Sequence, residues 1–369
     1  MEKLMNFYKR VLTYTLAILL LMIIWRIIPF LEIMVNSTPK AITPRGELSS
    51  LEQSNIELFE KSKDSVVFIT TQEQVVDYWS RSVMDVQKGS GSGFIWDKFG
   101  HIVTNYHVIE GASSATIRLS NGADYQASLV GADPSHDLAV LKIDASSLSL
   151  KPMPIGESKG LKVGQMVYAI GNPFGLDWTM TTGIISALNR VIDGVDGSKI
   201  KEAIQTDASI NPGNSGGPLL DSARRVIGVN TSIYSPSGAS AGIGFAIPID
   251  LVNKVATQLI AYGKYIRPTL GIDVDERMNK LLNQRYGIEG IVVLGVQKGS
   301  GADHAKLEPA KIYRDGSISL GDVIVKIDND KVGSIIELNE ALDTKNNEDR
   351  IKVTLLRKEQ LIVIELQLK

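Results

Sequence analysis

The chain has 369 residues, a length for two or three domains, with a formal charge of −2 and no cysteine. The near-neutral balance implies no general attraction to nucleic acid. The missing thiols exclude disulfides, thiolate zinc sites and a cysteine nucleophile together.

The N-terminus carries the first recognisable element. Lys3, Lys9 and Arg10 precede an apolar run over residues 11–25; Arg26 interrupts it, and residues 27–35 resume it around Glu32. Residues 11–31 are 21 positions with a single charge, enough to cross a bilayer. The positive flank places the N-terminus in the cytoplasm and the bulk of the chain outside. Residues 26–38 offer Ile, Phe, Leu and Met rather than a small-x-small cleavage site, so residues 1–35 read as an uncleaved single-pass anchor. A cleavable signal peptide and a buried core helix are the competing readings. Residues 36–53, with Pro39, Pro44, Gly46 and Ser49, read as a linker that lifts the rest off the membrane.

From about residue 55 the pattern changes to short β-type runs broken by Gly, Asn and Asp. They fall at 66–70, 101–104, 138–143, 166–170, 183–187, 226–230 and 243–246. Many short strands at close spacing predict a mainly β fold of antiparallel barrels. Pro248 then opens a helix, with Val252, Val255, Ala256 and Leu259 at i, i+3, i+4 and i+7 and Gly263 as its stop. That helix closes a domain over residues 54–265. Residues 266–369 form a second, α+β unit with a helix near 335–342.

Three segments carry chemistry: Thr104-Asn105-Tyr106-His107-Val108, Asp137-Leu138-Ala139-Val140-Leu141 and Gly213-Asn214-Ser215-Gly216-Gly217-Pro218. A histidine, an aspartate and a glycine-flanked serine, in that order, are the parts of a serine protease triad. Serine needs a base to take its proton. Imidazole titrates near neutral pH and can take and return it. A buried carboxylate fixes the imidazole tautomer. An oxyanion hole is expected over Gly213, Asn214 and Ser215, with the amides of Gly213 and Ser215 as donors. Glycine at 213, 216 and 217 is expected to clear space for a peptide lying on the turn and to reach φ > 0 freely. An ordinary turn is the alternative for the serine segment alone; the upstream histidine and aspartate argue against it.

Other readings are weaker. His101 and His107 are six apart and no His-Glu-x-x-His pattern exists, so no metal is expected. The glycines at 89–93 are no dinucleotide fingerprint and no Walker loop is visible, so no cofactor is expected. His136, beside Asp137, reads as structural, pointing the other way on a strand.

The wider words resemble HtrA/Deg serine proteases. They are Gly89-Ser90-Gly91-Ser92-Gly93-Phe94-Ile95, Gly100 to Ile109, Asp137 to Ile143, Ala169-Ile170-Gly171-Asn172-Pro173-Phe174-Gly175, and Gln205 to Leu219. The resemblance implies two six-stranded chymotrypsin-like barrels with the active site between them. His107 and Asp137 would sit on the first barrel and Ser215 on the second. Leu320-Gly321-Asp322-Val323-Ile324 resembles a PDZ domain, and Leu270, Gly271 and Ile272 match its carboxylate-binding loop. Trypsin-like enzymes that cut after Arg or Lys carry an aspartate six residues before the nucleophile. Ser209 stands there, followed by Ile210. A pocket for small or medium apolar side chains is expected, walled by Asn230, Thr231, Ser232 and the loop after Ile170.

The implied partners are protein substrates (unfolded or regulatory envelope proteins), C-terminal peptides at the PDZ domain, the inner membrane and two further copies in a homotrimer. The implied location is the periplasm or an equivalent lumen. Residues 171–178 and 234–241 are expected to be mobile and to control the oxyanion hole. A non-catalytic chaperone or PDZ receptor on the same fold is the rival function. Residues 303–319 suggest no role.

Overall fold

The computed structural model describes residues 1–37, 39–76, 83–146, 148–175, 177–233, 242–313 and 318–369. The chain divides into two compact units, Met1–Gln53 and Ser54–Lys369. In the first, α1 (Glu2–Asn36) is one 35-residue helix with no buried residue and a mean hydropathy of 2.4 over its most apolar window. At 1.5 Å per residue it is about 50 Å long, more than a hydrocarbon core needs. α2 (Ser50–Ser62) begins inside the stretch read as linker. Its start is fixed by a reciprocal cap, in which Glu52 N–H donates to Ser49 Oγ (3.3 Å) and Ser49 N–H to Glu52 Oε2 (2.8 Å).

The first barrel of the second unit contains β1 (Val66–Val76), β2 (Val83–Ile95), β3 (His101–Thr104), β4 (Ser114–Arg118), β5 (Asp124–Asp133) and β6 (Leu138–Lys142), with the one-turn helix α3 (Tyr106–Ile109) after β3. It closes in the order β1-β2-β3-β6-β5-β4. The second contains β7 (Met166–Gly171), β8 (Thr179–Asp193), β9 (Lys199–Thr206), β10 (Pro218–Leu220), β11 (Val226–Ile233) and β12 (Gly244–Pro248), closed in the order β10-β11-β12-β9-β8-β7.

The unbroken apolar run of β6 has a physical cause. Side chains alternate between faces along a strand. Ala139 and Leu141 fill the first barrel, while Leu138 and Val140 join a core shared with Ile170, Val229 and Ile247 of the second. Both faces are buried, so neither can be polar. α4 (Ile249–Tyr262) packs Val252, Val255, Ala256 and Leu259 onto that shared core, and Gly263, at φ 72°, closes it through an N–H to Leu259 O. Each large aliphatic buried there contributes about 1.5–3 kcal/mol.

The remaining residues form β13 (Ile272–Asp273), α5 (Glu276–Tyr286), β14 (Ile291–Val292), β15 (Gly295–Val296), α6 (Gly301–His304), β16 (Lys311–Ile312), β17 (Ile318–Ser319), β18 (Val323–Ile327), β19 (Asp330–Lys331), α7 (Ile335–Asp343), β20 (Arg350–Arg357) and β21 (Gln360–Gln367). Strands β14, β18, β20 and β21 lie side by side with β19 on β18, and β13 pairs with β15. The stretch 303–319 ends α6 and holds the β16–β17 pair.

Polar contacts tie α7 to the barrels. Lys254 Nζ donates to the carbonyls of Asp343 (3.1 Å) and Lys345 (2.6 Å). Arg267 Nε donates to Asp343 Oδ1 (2.6 Å), and Glu340 accepts from the Lys199 amide (3.1 Å). Burial pushes the Tyr265 phenol above the ordinary tyrosine range, and the Asp343 carboxylate adds to the shift.

Candidate active site

His107 is the second residue of α3. Its neighbours Val108 and Ile109 are buried in the first barrel, which leaves the imidazole, 37% exposed, at the rim. Asp137 ends the 3-10 turn Pro134–His136 at φ 51° and is almost fully buried. Its carboxylate is crowded with donors. His107 Nδ1 lies 2.8 Å from Oδ2 and 3.0 Å from Oδ1, His107 N–H donates to Oδ1 (2.9 Å), and Thr231 Oγ1 donates to Oδ2 (2.6 Å). Asn105 Nδ2 holds the Asp137 carbonyl (2.9 Å). A carboxylate facing Nδ1 assigns the proton to that nitrogen and leaves Nε2 as the base.

Ser215 lies on the turn between β9 and β10. Its hydroxyl donates to the carbonyl of Thr231 (2.9 Å), so its single proton points there rather than to His107. The amides along the turn divide sharply. Asn214 N–H donates to Asn211 O, Gly216 N–H to Asn230 O and Gly217 N–H to Asn214 O. Among the described residues, no acceptor is found for the N–H of Gly213 or Ser215. Two unclaimed amides flanking a nucleophile are what a developing oxyanion requires.

The positive φ expected of the turn glycines is present at Gly213 and Gly216, but the space they clear is not for a peptide. A Cβ on Gly216, at φ 82°, would lie 2.2 Å from Ser92 O and 2.3 Å from Thr104 Oγ1. One on Gly213, at φ 105°, would lie 2.5 Å from Pro173 Cα. The obstacle is the protein itself: glycine lets the turn seat against the first barrel and the loop after β7.

His136 is structural, as expected, but not through strand alternation. The chain turns between it and Asp137, which sends its ring to Asp133 Oδ2 (2.5 Å) and toward Asp343 of α7 (3.5 Å).

Beside the serine is a cavity of about 450 Å³, lined among others by Ile210, Thr231, Val195 and Asp193. Ile210 and Thr231 were expected there. Ser209 and Asn230 do not line it. Ser209 is exposed and turns its carbonyl to Thr181 Oγ1 and Asn214 Nδ2, and Asn230 is buried with Nδ2 on Pro218 O. Ser232 continues the backbone of β11. The sequence reading missed Asp193 and Val195, at the tip of the β8–β9 hairpin, and the bond from Thr231 to Asp137. Residues 234–241, expected to be a control loop, lie outside the described residues.

In the second expected site, Leu270 is buried with Leu338 and Leu342 of α7, and Ile272 pairs with Val296. Gly271, at φ 76°, donates its N–H to Thr269 Oγ1 (3.0 Å). The other edge of β13 carries no strand among the described residues.

Residues 91–229 match the trypsin-like peptidase domain and residues 268–368 the PDZ domain. The chain is 46% identical to Protease Do-like 1, chloroplastic, of Arabidopsis thaliana, over 88% of this chain and 72% of the relative. It is 40% identical to a probable periplasmic serine endoprotease, DegP-like, of Halomonas elongata, over 73% of this chain and 54% of the relative. Among solved structures, the HtrA-type protease AlgW with a decapeptide aligns at a TM-score of 0.61 and 34% identity, covering 85% of this chain and 97% of that one. A serine endoprotease from Yersinia pestis aligns at 0.56 and 33%, covering 88% and 99%. With its two closed barrels, one PDZ domain and relatives that are serine proteases, this chain belongs to the HtrA/Deg family of serine proteases.

Proposed function

We propose that this is an ATP-independent, membrane-anchored endopeptidase for quality control or regulated proteolysis in the cell envelope. The carrying observation is the pair of unclaimed amides at 213 and 215 beside a histidine clamped by Asp137. In this reading the Ser215 hydroxyl turns from Thr231 to His107 Nε2, gives up its proton and attacks the scissile carbonyl. The two amides hold the oxyanion, His107 returns the proton to the leaving amine, and water then releases the acyl group. α1 is the anchor, with the second unit in the periplasm or an equivalent lumen. Protein substrates would be unfolded or regulatory envelope proteins, and the working form a homotrimer. The test is cleavage of an unfolded envelope protein without ATP, with the Ser215 variant as control.

The cavity walls predict the cleavage site. Ile210 and Val195 are apolar. Apart from Asp137, the lining carboxylate is Asp193, which is 76% exposed at the rim and paired with Lys199. An Arg or Lys side chain would lose its hydration without gaining a buried partner. Peptide-library profiling should show cleavage after Val, Ala or Ile; a majority of cuts after Arg or Lys would contradict the pocket assignment.

Control by the PDZ domain is part of the proposal. A C-terminal carboxylate would displace Thr269 Oγ1 from Gly271 N–H, and its chain would extend along the free edge of β13. α7, whose Leu338 and Leu342 pack with Leu270, carries Asp343 to His136, the neighbour of Asp137. Coupling of this kind is typically about 1–3 kcal/mol, or roughly 5–150-fold, and it is reciprocal for binding. A covalent Ser215 inhibitor should therefore tighten peptide binding by that factor in calorimetry. Equal affinities would leave the domain as a capture module alone.

A further inference from the structure

Ser92, in β2, is completely buried, and both its backbone groups and its hydroxyl are committed around the serine turn. Its N–H donates to Ser215 O (2.8 Å), and its carbonyl accepts from Thr104 Oγ1 (2.7 Å). Its Oγ donates to Gly213 O (2.6 Å) and accepts from Asn172 N–H (2.9 Å). One first-barrel residue thus touches both ends of the turn and the loop after β7.

We infer that Ser92 is a positioning residue for the oxyanion hole. The inference rests on reading the Gly213 and Ser215 amides as that hole. The peptide joining Gly213 to Asn214 lies between them. Its oxygen is held by Ser92 Oγ, and its N–H by Asn211 O at 2.9 Å. A planar peptide held at both ends cannot rotate, so the α-carbons on either side are fixed. The Gly213 amide before it and the Ser215 amide after it are then separated from a fixed peptide only by the torsions of Gly213 and Asn214, ending in φ of Gly213 and ψ of Asn214. The Ser92 N–H adds a third restraint, on the carbonyl of Ser215 itself. Gly213, at φ 105°, has the conformational freedom to swing without such restraint. Preorganised donors are worth most when they need not move at the moment of reaction. The hydroxyl suits this place because it satisfies a carbonyl and an amide at once, as an aliphatic side chain cannot.

The test uses the detergent-extracted full chain. Ser92→Ala and Ser92→Cys are compared with wild type, with active sites counted by titration so that misfolded protein is excluded. Ser92→Ala is expected to lower kcat per titrated site by about 10- to 100-fold at an unchanged KM, less than outright loss of a donor. The Ki of a peptidyl trifluoromethyl ketone, whose tetrahedral adduct needs the hole, should rise by the same factor. Ser92→Cys, which keeps a weak donor, should fall between. If the alanine variant does not fold, the cysteine variant decides by the same two readouts. A kcat per site and a Ki within twofold of wild type would overturn the inference, whatever happens to the melting temperature. Full activity in Ser215→Ala would instead overturn the underlying active-site reading, so the two failures are separable.

Discussion

Replacing Ser215 with alanine is expected to lower kcat by about 10⁶, at a melting temperature close to wild type. The magnitude follows from what the residue does. Without Oγ there is nothing to attack, and His107 and the two amides are left with water as the only nucleophile. The small stability effect follows from where Oγ sits. Its hydrogen bond goes to Thr231 O, and losing one neutral bond of that kind costs about 1 kcal/mol. The turn is held by its backbone, through Gly216 N–H to Asn230 O and Ser92 N–H to Ser215 O, and alanine disturbs neither. Initial rates on a quenched peptide and a thermal melt check both halves. More than a tenth of wild-type turnover in the variant would sink the assignment of Ser215 as nucleophile. His107→Ala should lose nearly as much, because the same proton transfer fails.

Much of this site was legible because its parts carry local signatures. His107, Asp137 and Ser215 each stand in a distinctive word, and their order restricts the chemistry. α4 was legible from period, proline and glycine together, and it starts and stops beside Pro248 and Gly263. What stayed hidden depends on partners distant in the chain. The bond from Ser92 to Gly213 joins residues 121 apart, and nothing in a Gly-Ser-Gly segment states where its hydroxyl goes. Asp193 and Val195 line the cavity because the β8–β9 hairpin reaches across to it, a consequence of barrel closure. Ser209 does not line the cavity although its neighbour Ile210 does: in this irregular segment Ser209 is exposed with its carbonyl taken by Thr181 and Asn214, while Ile210 is buried against the cavity. His136 escapes the alternation rule because Asp137 is left-handed rather than extended.

That same left-handed aspartate sets up the second large effect. Asp137→Asn is expected to fold normally and to lose about 10⁴ in kcat. Asparagine tolerates a left-handed backbone, so φ 51° poses no obstacle. The loss comes from a change in tautomer, and the surroundings dictate its direction. The Oδ1 position faces the His107 N–H, a donor that cannot reverse, so the amide oxygen must occupy it. The amide nitrogen is then left at the Oδ2 position, 2.8 Å from His107 Nδ1 and 2.6 Å from Thr231 Oγ1. The threonine hydroxyl can rotate and accept. The imidazole can accept at Nδ1 only by moving its proton to Nε2. Nε2 then meets Ser215 as a donor, and the serine has no base. What fails is Nε2, on the far side of the imidazole from the substituted atom, which gives the prediction its specific test. Because the triad acts as a unit, adding Asp137→Asn to Ser215→Ala should lower the residual rate no further. Nitrogen NMR of a labelled His107 should show the proton on Nδ1 in the wild type and on Nε2 in Asp137→Asn. An unchanged tautomer, or a kcat within tenfold of wild type, would mean that Asp137 does not orient the base.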